Sequence, residues 1–380
     1  MLNSNTEALG IIFPNSYDSM VPELVSERLM ASIPFASRYR LCDFMLSSMV
    51  HSGIDNISMI VRKNYHSLLD HLGAGREWDL VRKNGGLNIV PPFAQKQVKV
   101  FEGKIEALES IRGYLLKQPQ KYVIMTDANL ALNFDFNELL DAHIKSGADV
   151  TIMYRKQEIP KAFIRQSRER DALYYTLGMN GDHVSKIYIN PTDEGEINFS
   201  MNIYVVDRKL LIDLIDDAYI HGYTYFVRDL LARQIDRMDI RGFCYDGYVA
   251  NIHDTQSYFE ENMRLLQEEN LTALFSPNQI YTKIRDDNPT RYISGSRAKN
   301  VMVADGCVIE GEVENSVLFR GVHVGKGAKV KNCVLMQDTI VGENANVEYV
   351  ITDKNVRISA GKSLTGNDSY QVYVAKGETV

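Results

Sequence analysis

Apolar residues recur at intervals of six over 300–380, and this period limits that segment to very few folds. Three pairs of aliphatic residues share the spacing: Val303 and Ile309, Val324 and Val330, and Val341 and Val347. Short valine-rich strands that turn every six residues are typical of a hexapeptide parallel β-helix. A single repeat cannot bury its apolar row, so the coils must stack into a prism. We therefore predict a parallel β-helix domain over 300–380, ending in a C-terminal tail.

A different pattern runs through the first two-thirds of the chain, where short apolar runs alternate with helical periods. Four runs predict strands: Ala8 to Phe13, Ile57 to Val61, Tyr122 to Met125 and Ala148 to Tyr154. The first of them is of the kind expected for a buried parallel strand. Strands that alternate with helices predict an α/β domain of the Rossmann-like type. We place this domain at 1–272 and a linker, interrupted by proline and glycine, at 273–299.

Composition excludes several classes of partner. The 380 residues carry a formal net charge of −7, which argues against nucleic-acid and membrane-surface binding. The four cysteines are scattered without a CxxC pair, so they predict neither a zinc site nor a disulfide framework. No leader-like segment and no apolar run of ~20 residues is present in the sequence. We expect a cytoplasmic protein whose partners are small molecules or other proteins.

The stretch Ile33 to Ser52 combines two arginines with the start of a helix. Arg38 and Arg40 precede Asp43, and Phe44, Leu46, Met49 and Val50 then follow at the spacing of one apolar helix face. Arginine side chains and backbone N–H groups at a helix start suit the binding of an anion such as phosphate. A solvated loop with structural ion pairs is the alternative reading.

Several segments in order carry a family resemblance: PFASRYRLCDF, SSMVHSGIDNISMI, HSLLDHLGAGREWDL and GGLNIVPP. They resemble the ADP-glucose pyrophosphorylase family of sugar nucleotidyltransferases, whose members carry PFGGxYRxIDFxLSNxxxSGI and WDL at these places. The resemblance implies a Rossmann-like nucleotidyltransferase domain followed by a left-handed β-helix. Active members join ATP and glucose-1-phosphate into ADP-glucose and pyrophosphate with Mg²⁺. The likeness is strongest to the GlgD type, the non-catalytic relative in glycogen biosynthesis.

The resemblance also marks departures at positions that catalysis needs. The family loop GGxGTRL is replaced by PNSYDSM, which puts Asp18 at or near the arginine that neutralises the leaving pyrophosphate. The aspartate of the family's GDH signature corresponds to Asn129, with Asp127 as the alternative alignment, and the second metal-binding aspartate to Asn251. The lysine that contacts the sugar phosphate has become Asn190. We therefore expect no catalytic residues, no metal site and no tightly bound cofactor, with Mg²⁺ only if the chain is active.

Other family positions are retained in part. Ser200 and Met201 in FSMNIY and Glu106 in GKIEAL stand where the family holds the base and sugar, which implies a substrate-like pocket. Arg28 and Arg40 match basic positions that bind anionic effectors, and with Arg38 they are candidates for a phosphate or sugar-phosphate site. Surface ion pairing is the alternative for these arginines.

These features predict a regulatory or stabilising subunit that modulates a catalytic homologue. We expect the two subunits to form a heterotetramer, and the chain alone to form a homodimer or a homotetramer. An active glucose-1-phosphate adenylyltransferase is the alternative, and a sensor that holds glucose-1-phosphate or ADP-glucose without turnover is a third hypothesis. A β-helix of this kind also occurs in acyltransferases, but those enzymes generally need a catalytic histidine between coils. His323 is the only histidine after His253.

Overall fold

A computed structural model of the protein describes residues 7–92, 101–166 and 173–380. Within these ranges one large mixed sheet forms the centre of the N-terminal domain. Its nine strands are β1 Ala8–Phe13, β2 Asn56–Ile60, β3 Gly86–Val90, β4 Tyr122–Asp127, β5 Val150–Gln157, β6 Tyr175–Asn180, β7 His183–Ile189, β8 Ile197–Asp207 and β9 Ile240–Cys244. The predicted α/β domain is confirmed, and the four predicted strands are β1, β2, β4 and β5.

The sheet has the order β3-β2-β1-β4-β8-β5-β9-β7-β6. β1 pairs in parallel with β2 and β4, whereas β8 runs antiparallel to β4 and β5. The carboxyl ends of β1, β2 and β4 therefore meet at one edge, which is where open α/β sheets bind ligands.

Helices cover both faces of this sheet. Their bounds are α1 Leu41–His51, α2 His66–Leu72, α3 Lys104–Ser110, α4 Arg112–Leu115, α5 Phe136–Ser146, α6 Lys161–Gln166, α7 Arg208–Ile220, α8 Thr255–Arg264 and α9 Glu268–Phe275. Because side chains alternate along a strand, Ala8 and Ile12 of β1 pack with α1, α2 and α5. Leu9, Ile11 and Phe13 point to the other core, which α3, α4 and α7 complete.

Helix α1 is more deeply buried than its sequence predicts. We predicted one apolar face, but every residue except His51 is buried, including Asp43 and Ser47. One side of α1 packs on the sheet core through residues such as Met45, and the other side contributes Leu41 and Phe44 to a core shared with the C-terminal domain. A helix that is buried all round sits inside the molecule, and α1 links the two domains.

The C-terminal domain is a parallel β-helix, as predicted. One face carries the strands Arg291–Tyr292, Val308–Ile309, His323–Val324, Ile340–Val341 and Arg357–Ile358. The other two faces belong to a second ladder, with strands Arg297–Val303, Glu312–Leu318, Lys329–Lys331, Val334–Leu335, Asn346–Glu348, Val350–Thr352, Ser363–Thr365 and Val372–Val374. His323 pairs with Ile340 and Ile340 with Arg357, so a coil takes about 17 residues, close to three hexapeptides. Strand pairing begins at Arg291, within the range 273–299 that we predicted as a linker.

An apolar core joins the two domains. Leu24 and Phe35 from the segment after β1 and Tyr258 from α8 pack with Val317 and Met336 of the β-helix. No helix in the described ranges is both long and apolar enough to cross a bilayer.

Candidate functional site

A cavity of about 340 Å³ opens at the carboxyl ends of β1, β2 and β4. Its wall combines aromatic rings with charged side chains, which is the usual make-up of a small-molecule site. The charged residues that line it are Asp18, Arg62, Lys63, Glu102, Lys104 and Asp127. The aromatic residues are Phe13, Tyr17, Tyr175, Tyr225 and Phe226.

An ion pair between Lys104 and Asp127 lies in this cavity. Asp127 ends β4 and is buried, and the Lys104 ammonium, from the first turn of α3, lies 2.7 Å from its Oδ1 atom. The Ser16 hydroxyl donates to the same oxygen at 2.6 Å. The ammonium also lies over the rings of Phe13 and Tyr204, at 5.2 and 5.6 Å from their centroids. The carboxylate charge is therefore balanced by a side chain of the protein itself.

The segment after β1 is held by its own side chains. Asp18 accepts hydrogen bonds from Asn15 Nδ2 at 2.7 Å and from the Met30 N–H at 2.8 Å. Burial raises the pKa of Asp18 to about 6, although these bonds and the nearby cations oppose the rise. Tyr17 takes a left-handed backbone conformation with φ of 63°. This loop places an acidic side chain in the cavity wall, where a backbone cradle for phosphates would need donors.

Asn129 and Asn251 lie side by side. The short strands Leu130–Ala131 and Ala250–Asn251 pair antiparallel, and Asn129 Nδ2 donates to Asn251 Oδ1 at 2.9 Å. Asn129 also donates to the Ile252 carbonyl oxygen at 3.3 Å. The sequence left Asp127 and Asn129 as alternatives for one family position. Asn129 contacts Asn251, whereas Asp127 faces the cavity and Lys104.

This arrangement does not fit Mg²⁺, which the fold family implies. Mg²⁺ prefers carboxylate oxygens and octahedral geometry, but the Asn129 and Asn251 amides bond to each other and carry no charge. The Asp127 carboxylate is already neutralised by Lys104. Neither group offers a divalent cation an open carboxylate.

One cluster of potential metal ligands occurs in the described residues, formed by Cys42, Asp43 and His71. His71 Nε2 lies 2.6 Å from Asp43 Oδ1, and Asp43 Oδ2 accepts from the Arg40 N–H at the start of α1. Burial raises the pKa of the Cys42 thiol well above its usual range, so the sulfur stays protonated. We interpret this cluster as a structural hydrogen-bond network.

Asn190 supports the backbone of a hairpin rather than the cavity. It exchanges two hydrogen bonds with Tyr174, since its N–H donates to the Tyr174 carbonyl at 3.0 Å and its Oδ1 accepts from the Tyr174 N–H at 2.9 Å. Its φ of 48° is a conformation that asparagine tolerates well.

The three residues predicted to form a substrate-like pocket, Ser200, Met201 and Glu106, are not among those that line the cavity. Ser200 Oγ accepts from the Asn202 N–H at 3.2 Å, and Met201 is buried in the sheet core. Glu106 accepts from the Glu102 N–H at 2.7 Å. Asn202, two residues after Ser200, does line the cavity and donates to the Tyr17 hydroxyl at 2.6 Å.

A second group of charges lies between the domains. Buried Arg28 forms an ion pair with Asp353 of the β-helix at 2.6 Å. Arg40 donates to the Ser67 carbonyl at 2.6 Å and to the Ser67 hydroxyl at 3.0 Å. Lys354 follows Asp353, and burial, with the repulsion of Arg40 and Arg28, lowers its pKa to about 7. Arg38 is instead exposed and lies over the Tyr39 ring at 5.7 Å.

Sequence reasoning missed Lys104 and Lys354. Lys104 occupies the second position of GKIEAL, where the family has threonine, so the substitution of a cation for a hydroxyl was visible in the sequence. Lys354 carried no such signal, because only the stacking of β-helix coils against the N-terminal domain brings it near Arg28 and Arg40.

Comparison with known proteins agrees with this architecture. A family model described as nucleotidyl transferase matches residues 24–268, and one described as GlmU-like C-terminal hexapeptide matches residues 285–372. The glycogen biosynthesis protein GlgD of Bacillus subtilis (strain 168) is 34% identical over 98% of this chain and 97% of its own length. GlgD of Geobacillus stearothermophilus is 36% identical over 86% of this chain and 83% of its own length. The glucose-1-phosphate adenylyltransferase of Geobacillus stearothermophilus is 30% identical over 86% of this chain and 83% of its own length. The chain therefore belongs to the nucleotidyltransferase family that contains the GlgD proteins and the glucose-1-phosphate adenylyltransferases.

Proposed function

We propose that this protein is a non-catalytic subunit that regulates or stabilises ADP-glucose pyrophosphorylase in glycogen biosynthesis. The observation that carries the proposal is the Asn129–Asn251 amide pair. Phosphoryl transfer relies on metal ions that bridge and neutralise phosphate oxygens, and two neutral amides bonded to each other cannot hold such an ion. The acidic loop at Asp18 also argues against catalysis, because it places negative charge where a triphosphate would need cations.

The partner in this proposal is a catalytic homologue, a glucose-1-phosphate adenylyltransferase, in a heterotetramer. Relatives named GlgD and relatives named glucose-1-phosphate adenylyltransferase match the chain over similar lengths, which supports two homologous subunits of the same shape. A cytoplasmic location is part of the proposal, supported by the free state of Cys42, Cys244, Cys307 and Cys333.

The proposed regulatory input is an anion at the domain interface. Arg40 and Lys354 converge there with Arg28, and Asp353 is the acid that pairs with this group. Because the site joins the N-terminal domain to the β-helix, an anion bound there would stabilise one arrangement of the two domains. A phosphate or sugar phosphate has the charge and oxygen geometry that arginine and lysine bind.

Co-expression with a catalytic homologue tests the proposal. We expect the two chains to purify as one complex, whose ADP-glucose synthesis exceeds that of the homologue alone or responds differently to phosphate. Variants R40M and K354M should assemble but lose the altered phosphate response, while K299M, on an exposed face of the β-helix, should keep it.

Two results would argue against this function. One is the absence of any complex when both folded chains are present at micromolar concentration. The other is a complex whose rate and phosphate response equal those of the homologue alone.

A further inference from the structure

We propose that four packed rings inside the N-terminal domain fill the space that a sugar phosphate would need, so that the chain excludes glucose-1-phosphate with its own side chains. These rings, the aromatic cluster, belong to Phe163, Tyr174, Phe199 and His253. The inference rests on the proposed function, because an active enzyme keeps that space open for its substrate. It goes beyond that function by assigning the closure to particular residues, and it argues against a sensor that holds glucose-1-phosphate.

The aromatic cluster lies between the two positions at which the sequence resemblance predicts contacts to the sugar phosphate and to a metal. At the first position, Asn190 exchanges two hydrogen bonds with Tyr174, at 3.0 and 2.9 Å. At the second, His253 Nδ1 lies 3.1 Å from the Asn251 carbonyl oxygen. The Phe163 ring lies between them, with its centroid 4.9 Å from that of Tyr174 and 5.1 Å from that of His253. A continuous series of contacts therefore joins the two positions.

The rings of the cluster are packed against one another. Phe163, Tyr174 and Phe199 are buried, with 2%, 1% and 4% of their surface exposed. The Phe163 and His253 rings are stacked at an angle of 23°, and those of Tyr174 and Phe199 at 17°. Aromatic rings at these separations are in direct contact, and a protein interior leaves few voids larger than a water molecule. The space is therefore occupied by side chains.

The cluster lies directly behind the wall of the cavity at the carboxyl ends of β1, β2 and β4. Phe163 comes from α6 and forms a small separate core with Met20, Ile159 and Ala162. The Tyr17 ring, which lines the cavity, meets the Phe163 ring edge-on at 5.4 Å. Removal of the Phe163 ring would therefore extend the cavity toward Asn251.

The cluster provides no positive charge for a phosphate. Burial lowers the pKa of His253 below its usual range, so the imidazole is neutral at pH 7. The other three rings carry no charge at this pH. Phosphate binding relies on charged donors, so the cluster excludes the sugar phosphate by its volume and offers it no compensating contact.

Ligand-observed NMR of glucose-1-phosphate with the full chain tests the inference, without added metal. We expect no binding to the wild type up to millimolar ligand. F163A/H253A removes the bridging ring and its stacked neighbour, which leaves space beside the Ser200 hydroxyl and the Asn251 amide. These groups suit the hydroxyls of a sugar, so this variant should gain saturable binding in the millimolar range.

F136A/H143A is the matched control. Phe136 and His143 are buried in α5, at 0% and 2% exposure, and their loss removes the same two side chains from another core. This variant should not bind glucose-1-phosphate. Because large-to-small changes in a core are destabilising, circular dichroism at the NMR temperature identifies the variants that are folded. F163A alone is a milder variant and should also gain binding, more weakly than F163A/H253A.

Three results would overturn the inference: saturable binding of glucose-1-phosphate to the wild type, folded F163A and F163A/H253A variants that bind none, or equal binding by F136A/H143A. These measurements use the chain alone. Their failure is therefore distinct from failure of the proposed function, which is measured on the complex with a catalytic homologue.

Discussion

At the scale of single residues, neutral or internally paired side chains occupy the positions where the sequence resemblance predicts contacts to metal and phosphate. Asn129 and Asn251 satisfy each other across 2.9 Å, and Asp127 is satisfied by Lys104 and Ser16. Each of these groups therefore has at least one hydrogen-bond partner within the protein. These side chains therefore form a polar network of their own.

Restoring carboxylates at the amide pair should create a cation site. In N129D/N251D two adjacent carboxylates repel each other, so we expect a lower melting temperature in EDTA and a rise of several degrees when Mg²⁺ or Mn²⁺ is added. Thermal unfolding followed by circular dichroism measures both.

The matched control is N300D/N315D. Asn300 Nδ2 donates a hydrogen bond to Asn315 Oδ1 at the same distance, 2.9 Å, on the exposed surface of the β-helix. That variant, like the wild type, should show no stabilisation by Mg²⁺. Equal stabilisation of both double variants by Mg²⁺ would mean that cation binding does not depend on the geometry at Asn129 and Asn251.

Asp18 should give the protein a distinct pH dependence. Its pKa is raised from 3.8 to about 6 in the folded state, so the folded chain binds the proton more tightly than the unfolded chain. The stabilisation from the protonated form is complete below pH 4 and is lost as the pH rises toward 6. D18N lacks this effect, so its free energy of unfolding relative to the wild type should increase by about 2 to 3 kcal/mol between pH 4 and pH 7.

Urea unfolding of both proteins at several pH values between 4 and 7 measures that difference. A constant difference over this range would show that the pKa of Asp18 is not raised in the folded protein.

At the scale of elements, local periodicity predicted most of the architecture, and contacts between distant elements decided the rest. The six-residue repeat predicted the β-helix because each coil repeats the same short-range pattern. The burial of α1 on all sides was not predictable from its own sequence, since its second partner lies in the C-terminal domain. The same limit applies to the sites: the two asparagines were predicted from motif positions, whereas Lys354 approaches Arg40 only through domain packing.

The interface between α1 and the β-helix should bind anions in a pH-dependent way. Lys354 faces Arg28, Arg40, Asp353 and Lys376, and its pKa is lowered to about 7. It is charged below that pH and neutral above it, so affinity for sulfate should fall by about tenfold from pH 6 to pH 8. Sulfate is chosen because its own charge does not change in this range.

Titration calorimetry with sulfate measures this effect, with K354M as the comparison. K354M should bind weakly at every pH and show a flat profile. An equally steep profile in K354M would assign the titration to another group, and a flat wild-type profile would contradict the role of Lys354.

At the scale of the whole molecule, the buried Arg28–Asp353 ion pair and the shared apolar core make the two domains one unit. R28M leaves Asp353 buried with the Tyr373 hydroxyl and the Lys354 N–H as its donors. Removing one partner of a buried pair typically costs about 3 kcal/mol or more. We expect a loss of that size in urea unfolding and recovery of most of it in R28M/D353N. A loss no larger than that of the surface variant K299M would show that the domains are stable without this contact.

We propose that the nucleotidyltransferase fold of this chain serves a catalytic partner and has no turnover of its own. The most direct test is ADP-glucose synthesis by the purified chain alone, with saturating ATP, glucose-1-phosphate and Mg²⁺, beside a glucose-1-phosphate adenylyltransferase as the reference. Our account predicts no product above the enzyme-free blank. The amides of Asn129 and Asn251 bond to each other and offer Mg²⁺ no carboxylate, and the Asp127 carboxylate already pairs with Lys104. Turnover at a rate comparable with the reference would contradict it and would mean that the chain is itself an enzyme.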